Sequence, residues 1–229
     1  MVSNYYGYDY YSGSAIPYPN VRDSQPETYT VITTPTTTPI TLDQVKEQLR
    51  LDTSDTSEDT YLTTLIEASR DCFESFTGRI LIDTQFRTFF NLFRQSFELR
   101  KSKLESLDAF EYSVDSTFIA VESSIYYATQ ESIYSRIIIS EEDSIPTDKD
   151  DSFQSIRVDF TAGYGTSEDD IPSDIQMGLL QQVTDLYANR GDCSSCDCSN
   201  MGGWPAYSAM IYRKYKIKSL YGASFRGGV

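Results

Sequence analysis

Three cysteines crowd the run CSSCDC, at Cys193, Cys196 and Cys198. Thiolates at this spacing can share one metal ion, and Cys-x-x-Cys is half of a zinc site. A closed tetrahedral site needs a fourth ligand. The chain has no histidine, and its remaining cysteine, Cys72, falls on what reads as the buried face of a helix. Zinc, a disulfide and free loop thiols all stay open for these residues, and no metal ligand is assigned. Acidic groups at Glu141–Asp143, Asp148–Asp151 and Glu168–Asp170 offer the oxygen ligands that calcium takes. None has the EF-hand order with its central glycine and closing glutamate, so solvated loops are the plainer reading. Paired carboxylates can also hydrolyse glycosides. Among 34 Asp and Glu, however, a chance pair is expected. Without histidine, Ser-His-Asp and Cys-His chemistry is unavailable. No glycine-rich phosphate loop of the Walker type occurs. The chemistry-bearing residues point away from an enzyme and imply no cofactor.

A different constellation stands near the C-terminus. Tyr207, Met210, Ile211, Tyr212, Tyr215 and Ile217 interleave with Arg213, Lys214, Lys216 and Lys218. Aromatic anchors beside cations are what interface centres use. The competing readings are an exposed basic tail without a fixed partner and a nucleic-acid contact.

The totals frame these candidates. The chain has 229 residues and a net charge of −15. Residues 199–229 carry five cations and no acid, so the preceding body holds the other 14 cations against all 34 acids. An acidic body cannot grip nucleic acid tightly, because binding needs cations to displace counterions. A basic tail on that body suggests docking to something acidic. Aromatic residues make up 14%, mostly 18 Tyr and 12 Phe, and tyrosine suits contact surfaces. No basic start with an apolar run suggests a signal peptide, and no apolar run approaches membrane-spanning length.

Residues 1–39 are rich in Tyr, Ser, Thr, Gly and Pro and read as an extended arm. Such an arm is either disordered or orders against a neighbouring subunit. The central domain spans 40–190. Thr41 and Gln44 have capping-box spacing, and Leu42, Val45 and Leu49 share a face, which predicts a helix over 41–51. A second helix over 57–77 carries Leu62, Leu65, Ile66, Cys72, Phe73 and Phe76 on its stripe, with Gly78 as its stop. Residues 80–162 change to short aromatic and β-branched runs with polar turns, an antiparallel β-section. It ends on Ile156, Val158 and Phe160 and a turn at Gly163 and Gly165, where positive φ is expected. Pro172 then opens a helix over 172–190, with Ser173 and Gln176 spaced as a second capping box. Residues 191–229 are a Cys/Gly loop and the basic docking segment. The fold class is α+β: a helical hairpin or bundle with an inserted antiparallel β-subdomain and extended terminal arms.

Three stretches in this order resemble the head–tail connector (adaptor) proteins of tailed bacteriophages. They are ITLDQVKEQLRLD, DTYLTTLIEASRDCFESFTGR and VDFTAGYGTSEDDIPSDIQMGLLQQVTDLYANR. The resemblance covers about 41–80 and 156–190 well, the intervening strands loosely, and 1–39 not at all. It implies a non-enzymatic virion protein, assembled in the host cytoplasm and placed at the neck of the particle. It implies a homo-oligomeric ring, dodecameric, bound to the portal protein and to a tail, tail-terminator or nozzle protein. Such a ring extends the channel through which double-stranded DNA passes without specific binding, and it needs no membrane. Gly78, Gly163, Gly165 and Pro172 are then structural motif residues, and no catalytic residue is carried over. A ring needs a heterologous contact that closes on itself, which apolar residues on the outside of the helical hairpin could supply. The alternative from another class is a tail-associated carbohydrate- or ligand-binding β module.

Overall fold

The structure, a computed structural model, describes residues 7–8, 15–16, 28–101, 103–130, 135–140, 146–190 and 204–217. Helix α1 (Leu42–Leu49) starts on the expected capping box. Thr41 Oγ1 accepts from the Gln44 amide at 3.1 Å, and Gln44 Oε1 accepts from the Thr41 amide at 2.9 Å. Helix α2 (Asp59–Thr77) ends at Gly78, whose φ of 75° lets its N–H reach the Glu74 carbonyl. Helices α3 (Ser173–Ala188) and α4 (Ala206–Tyr215) complete a helical layer. Its core includes Ile40, Leu62, Phe73, Leu179 and Tyr212, each fully buried.

Two short strands, β1 (Gly7–Tyr8) and β2 (Ala15–Ile16), form a separate ribbon. The main sheet has five strands: β3 (Tyr29–Thr33), β4 (Thr84–Phe90), β6 (Leu104–Val114), β7 (Thr117–Ala120) and β10 (Ile156–Ala162). Their order is β3-β4-β10-β6-β7, antiparallel throughout. A three-stranded sheet, β5-β9-β8, is built from β5 (Ser96–Leu99), β8 (Tyr126–Gln130) and β9 (Ser135–Ile139). The alternation read from the sequence is visible in β4, where Thr84, Phe86, Thr88 and Phe90 point inward. The two sheets meet over an aromatic core. Phe97 from β5 packs edge-on against Phe90 at 5.0 Å and Phe110 at 5.4 Å.

Several local expectations change. The segment Tyr29–Thr33, expected within an arm, is an edge strand of the chain's own sheet, and Tyr29 Oη accepts from the Arg100 amide at 2.7 Å. Ser173 caps nothing: Pro172 occupies the N-cap position, Ser173 is the first helical residue, and Gln176 instead donates to the Glu168 carbonyl at 2.6 Å. The reciprocal cap lies one turn earlier, where Ser167 and Asp170 close a 3-10 turn over Glu168–Asp170. Gly163 does not have positive φ. Its need is space, because a Cβ there would stand 2.5 Å from the Asp83 amide nitrogen. At that crossing the Gly163 N–H donates to the Lys103 carbonyl and the Asp83 N–H donates to the Gly165 carbonyl.

The hairpin of α1 and α2 carries none of the exposed large hydrophobics found among the described residues. Leu42, Leu49, Tyr61 and Phe76 instead pack against its own core. The expected apolar outer face of the hairpin is therefore absent there.

Candidate functional site

The basic C-terminal segment divides into residues that are buried in the fold and residues that stay exposed. Helix α4 packs on α3. Ser208 Oγ donates to the Gly178 carbonyl at 2.7 Å, and Lys214 Nζ reaches Asp174 Oδ2 at 2.6 Å. Gly178 allows this closeness: a Cβ there would sit 3.3 Å from Tyr212 Cε1. Tyr212 is fully buried, with its ring 5.0 Å from Phe73 and 4.9 Å from Trp204. Its hydroxyl donates to Gln182 Oε1 at 2.5 Å, and burial pushes its phenol far above the usual range. Ile211 is 4% exposed. Neither residue is available to dock, because both are needed to cover the apolar faces of α2 and α3. The segment also cannot be removed without opening the core.

Tyr215 is half-buried and donates to Asp174 Oδ1 at 2.9 Å. Partial burial works against the charged form of Asp174, yet the Lys214 and Tyr215 bonds outweigh it and hold the carboxyl below the usual carboxylate range. The Lys214 ammonium is correspondingly raised, chiefly by its bond to Asp174. Lys216 lies over the Phe76 ring at 4.0 Å, so this cation is tethered although its residue is exposed.

What α4 presents outward is Tyr207, 37% exposed, and Met210, 56% exposed, with Arg213, Lys214 and Lys216 beyond them. Met177 of α3 is also exposed, at 43%. It stands three residues from Asp174 on α3, as Met210 stands four from Lys214 on α4, each about one turn from a member of the Asp174–Lys214 ion pair. Sequence reasoning missed Met177, because a lone Met in an amphipathic helix reads as core. The available signal was its position off the Ile175, Leu179, Val183 stripe. Lys218 lies outside the described residues, as do Cys193, Cys196 and Cys198. Cys72 is disulfide-bonded.

The acidic groups have local structural uses. Asp150 accepts from Ser113 Oγ at 2.6 Å and from the Ser116 and Asp115 amides at 2.9 and 3.0 Å. It pins the β6–β7 turn, whose Asp115 and Ser116 have φ of 49° and 64°. Glu168–Asp170 forms the capped 3-10 turn, and Glu141–Asp143 lies outside the described residues. Among the described residues no cluster of Cys, Asp and Glu could hold a metal ion.

One buried charge was not foreseen. Lys46 is 3% exposed, and its ammonium donates to the Asp55 carbonyl at 2.8 Å and the Thr53 carbonyl at 3.2 Å. It also stands 2.6 Å from Asp59 Oδ1. The acidic α1–α2 loop thus folds around an internal cation, which meets the rule that a buried charge be paired. Among the described residues no helix is long and apolar enough to cross a membrane.

Residues 39–157, more than half of the chain, match the family described as phage gp6-like head-tail connector protein. The fold is similar to a chain in the neck of an empty gene transfer agent particle resolved with C6 symmetry. That likeness has 19% identity and a TM-score of 0.68, over 85% of this chain and 98% of the other. A chain in the virion of the native gene transfer agent particle is similar at 19% identity and a TM-score of 0.66, over the same shares. One in the native particle's neck with C12 symmetry is similar at 18% identity, with a TM-score of 0.63 over the same shares. No curated protein matches.

Proposed function

The chain belongs to the phage gp6-like head-tail connector family, and from that premise we propose that it is a structural virion protein, an adaptor of the particle neck. Copies assemble into a dodecameric ring between the portal and the tail, tail-terminator or nozzle protein, and the ring lengthens the DNA channel. Its work is done by contacts rather than by reactive groups. The observation that carries this reading is the family match across 39–157, joined to a fold that extends over nearly the whole length of gene transfer agent neck chains.

The portal-facing surface is the outer side of α4: Tyr207, Met210, Arg213, Lys214 and Lys216, extended by Met177. An apolar centre of tyrosine and methionine rimmed by cations matches the make-up of interface cores. Ile211, Tyr212 and Tyr215 serve it from beneath by fixing α4 on α3. The acidic body lines the bore, where a like-charged wall lets DNA slide.

Deleting residues 207–229 would remove Tyr212 and open the core, so surface substitutions test the docking claim. Tyr207→Asp combined with Met210→Asp should abolish attachment to portal while the circular dichroism spectrum and melting temperature stay close to the parent. Undiminished attachment would reject this surface.

A further inference from the structure

Given the ring proposed above, the question is which two surfaces of one copy meet the next. We propose that copies join through the edges of the five-stranded sheet, with β7 of one copy pairing in parallel with β3 of its neighbour. Strand directions alternate across β3-β4-β10-β6-β7, so the two outermost strands of this odd-numbered sheet run the same way. Each has one paired neighbour among the described residues, which leaves a row of main-chain donors and acceptors on its far side.

Natural edge strands are usually guarded by lysine, proline or an inward charge. Neither of these is. β3 reads Tyr-Thr-Val-Ile-Thr and β7 reads Thr-Phe-Ile-Ala, without a charged residue or proline in a chain whose residues are 23% charged. Val31 is 45% exposed, Ile32 43% and Ile119 39%. Copies with a net charge of −15 repel across most of their surface. The uncharged edges are where they approach at least cost.

A closed ring needs two different complementary patches on each subunit. The α1–α2 hairpin exposes no large hydrophobic side chain, so it does not supply them. Among the described residues the smaller sheet is open at Tyr127 of β8, but Phe97, Glu98 and Leu99 of its other outer strand, β5, are buried. The main sheet has two free and unlike edges at its opposite ends. Rotation about a ring axis preserves strand direction, so β7 meets the next β3 in parallel. A two-fold axis would instead pair β3 with β3 antiparallel and stop at a dimer.

The test uses the full chain carrying Ile32→Lys or Ile119→Lys, with Tyr127→Lys as the control on β8. Sedimentation velocity and images of virion necks report the ring, and circular dichroism reports the fold. The expected result is loss of the ring in both edge variants and an unchanged ring in the control. The chain with Val31→Cys and Ile119→Cys together should give a covalent ladder longer than dimers on mild oxidation, which neither single variant gives. That pair keeps the edges uncharged and so decides the matter if a lysine variant misfolds. Rings formed by both lysine variants, or covalent dimers from Val31→Cys alone, would overturn edge pairing and leave the ring itself standing. A parent chain that forms no ring in solution or in necks would overturn both.

Discussion

Gly163 shows how one residue sets a crossing of backbones. A methyl group there would lie 2.5 Å from the Asp83 nitrogen and 2.6 Å from its Cα. Both are main-chain atoms, so neither can swing aside. Gly163→Ala should lower stability by about 1–3 kcal/mol, read from urea denaturation. Gly178→Ala, which meets the ring of Tyr212 at 3.3 Å, should cost much less. Asp150 sets a pH dependence. Its bonds from Ser113, Ser116 and Asp115 hold its carboxyl below the usual carboxylate range. A depressed folded value gives stability that is present above the unfolded pKa and lost as pH falls through the folded one. Asp150→Asn should therefore flatten part of the acid limb when the denaturation midpoint is followed from about pH 6 to about pH 2. An unchanged slope would mean that the turn does not depend on the ionised carboxylate.

At the scale of elements, legibility followed locality. The start of α1 was readable because Thr41 and Gln44 need only each other. The end of α2 was readable because Gly78 acts through its own φ. Ser173 and Gln176 had the same spacing as a capping box and misled, since Pro172 took the cap and Ser167 with Asp170 formed the reciprocal pair upstream. Helix α4 was hidden because its interleaved Tyr and Lys residues read as a docking segment, or as an exposed basic tail, and not as a packed helix. Its helical face, Ser208, Ile211, Tyr212 and Tyr215, becomes meaningful only against Gly178 and Asp174, thirty or more residues away. The docking candidates therefore mixed two core residues, Ile211 and Tyr212, with exposed ones, and only packing could separate them. Strand pairing was beyond reach for the same reason: nothing local tells β10 that its neighbours are β4 and β6. Tyr212→Phe tests the weight of α4. It leaves Gln182, 4% exposed, with its Oε1 unpartnered, and should cost about 1–3 kcal/mol in thermal or chemical denaturation.

For the whole molecule, charge and shape divide the labour. Residues 199–229 carry five cations and no acid, while the preceding body holds 34 acids against 14 cations, and in the proposed ring that acidic body would let DNA pass without being held. Purified chain should fail to retard double-stranded DNA in a gel at physiological salt, about 0.15 M. Retardation would point to a gripping bore. The proposal of a passive collar meets its most direct test in a cryo-electron microscopy map of the neck of the intact virion. The account predicts a closed ring of this α+β subunit seated between portal and tail, with Tyr207, Met210 and the α4 cations against the portal. A map with this chain elsewhere in the particle, or present without forming a ring, would contradict it.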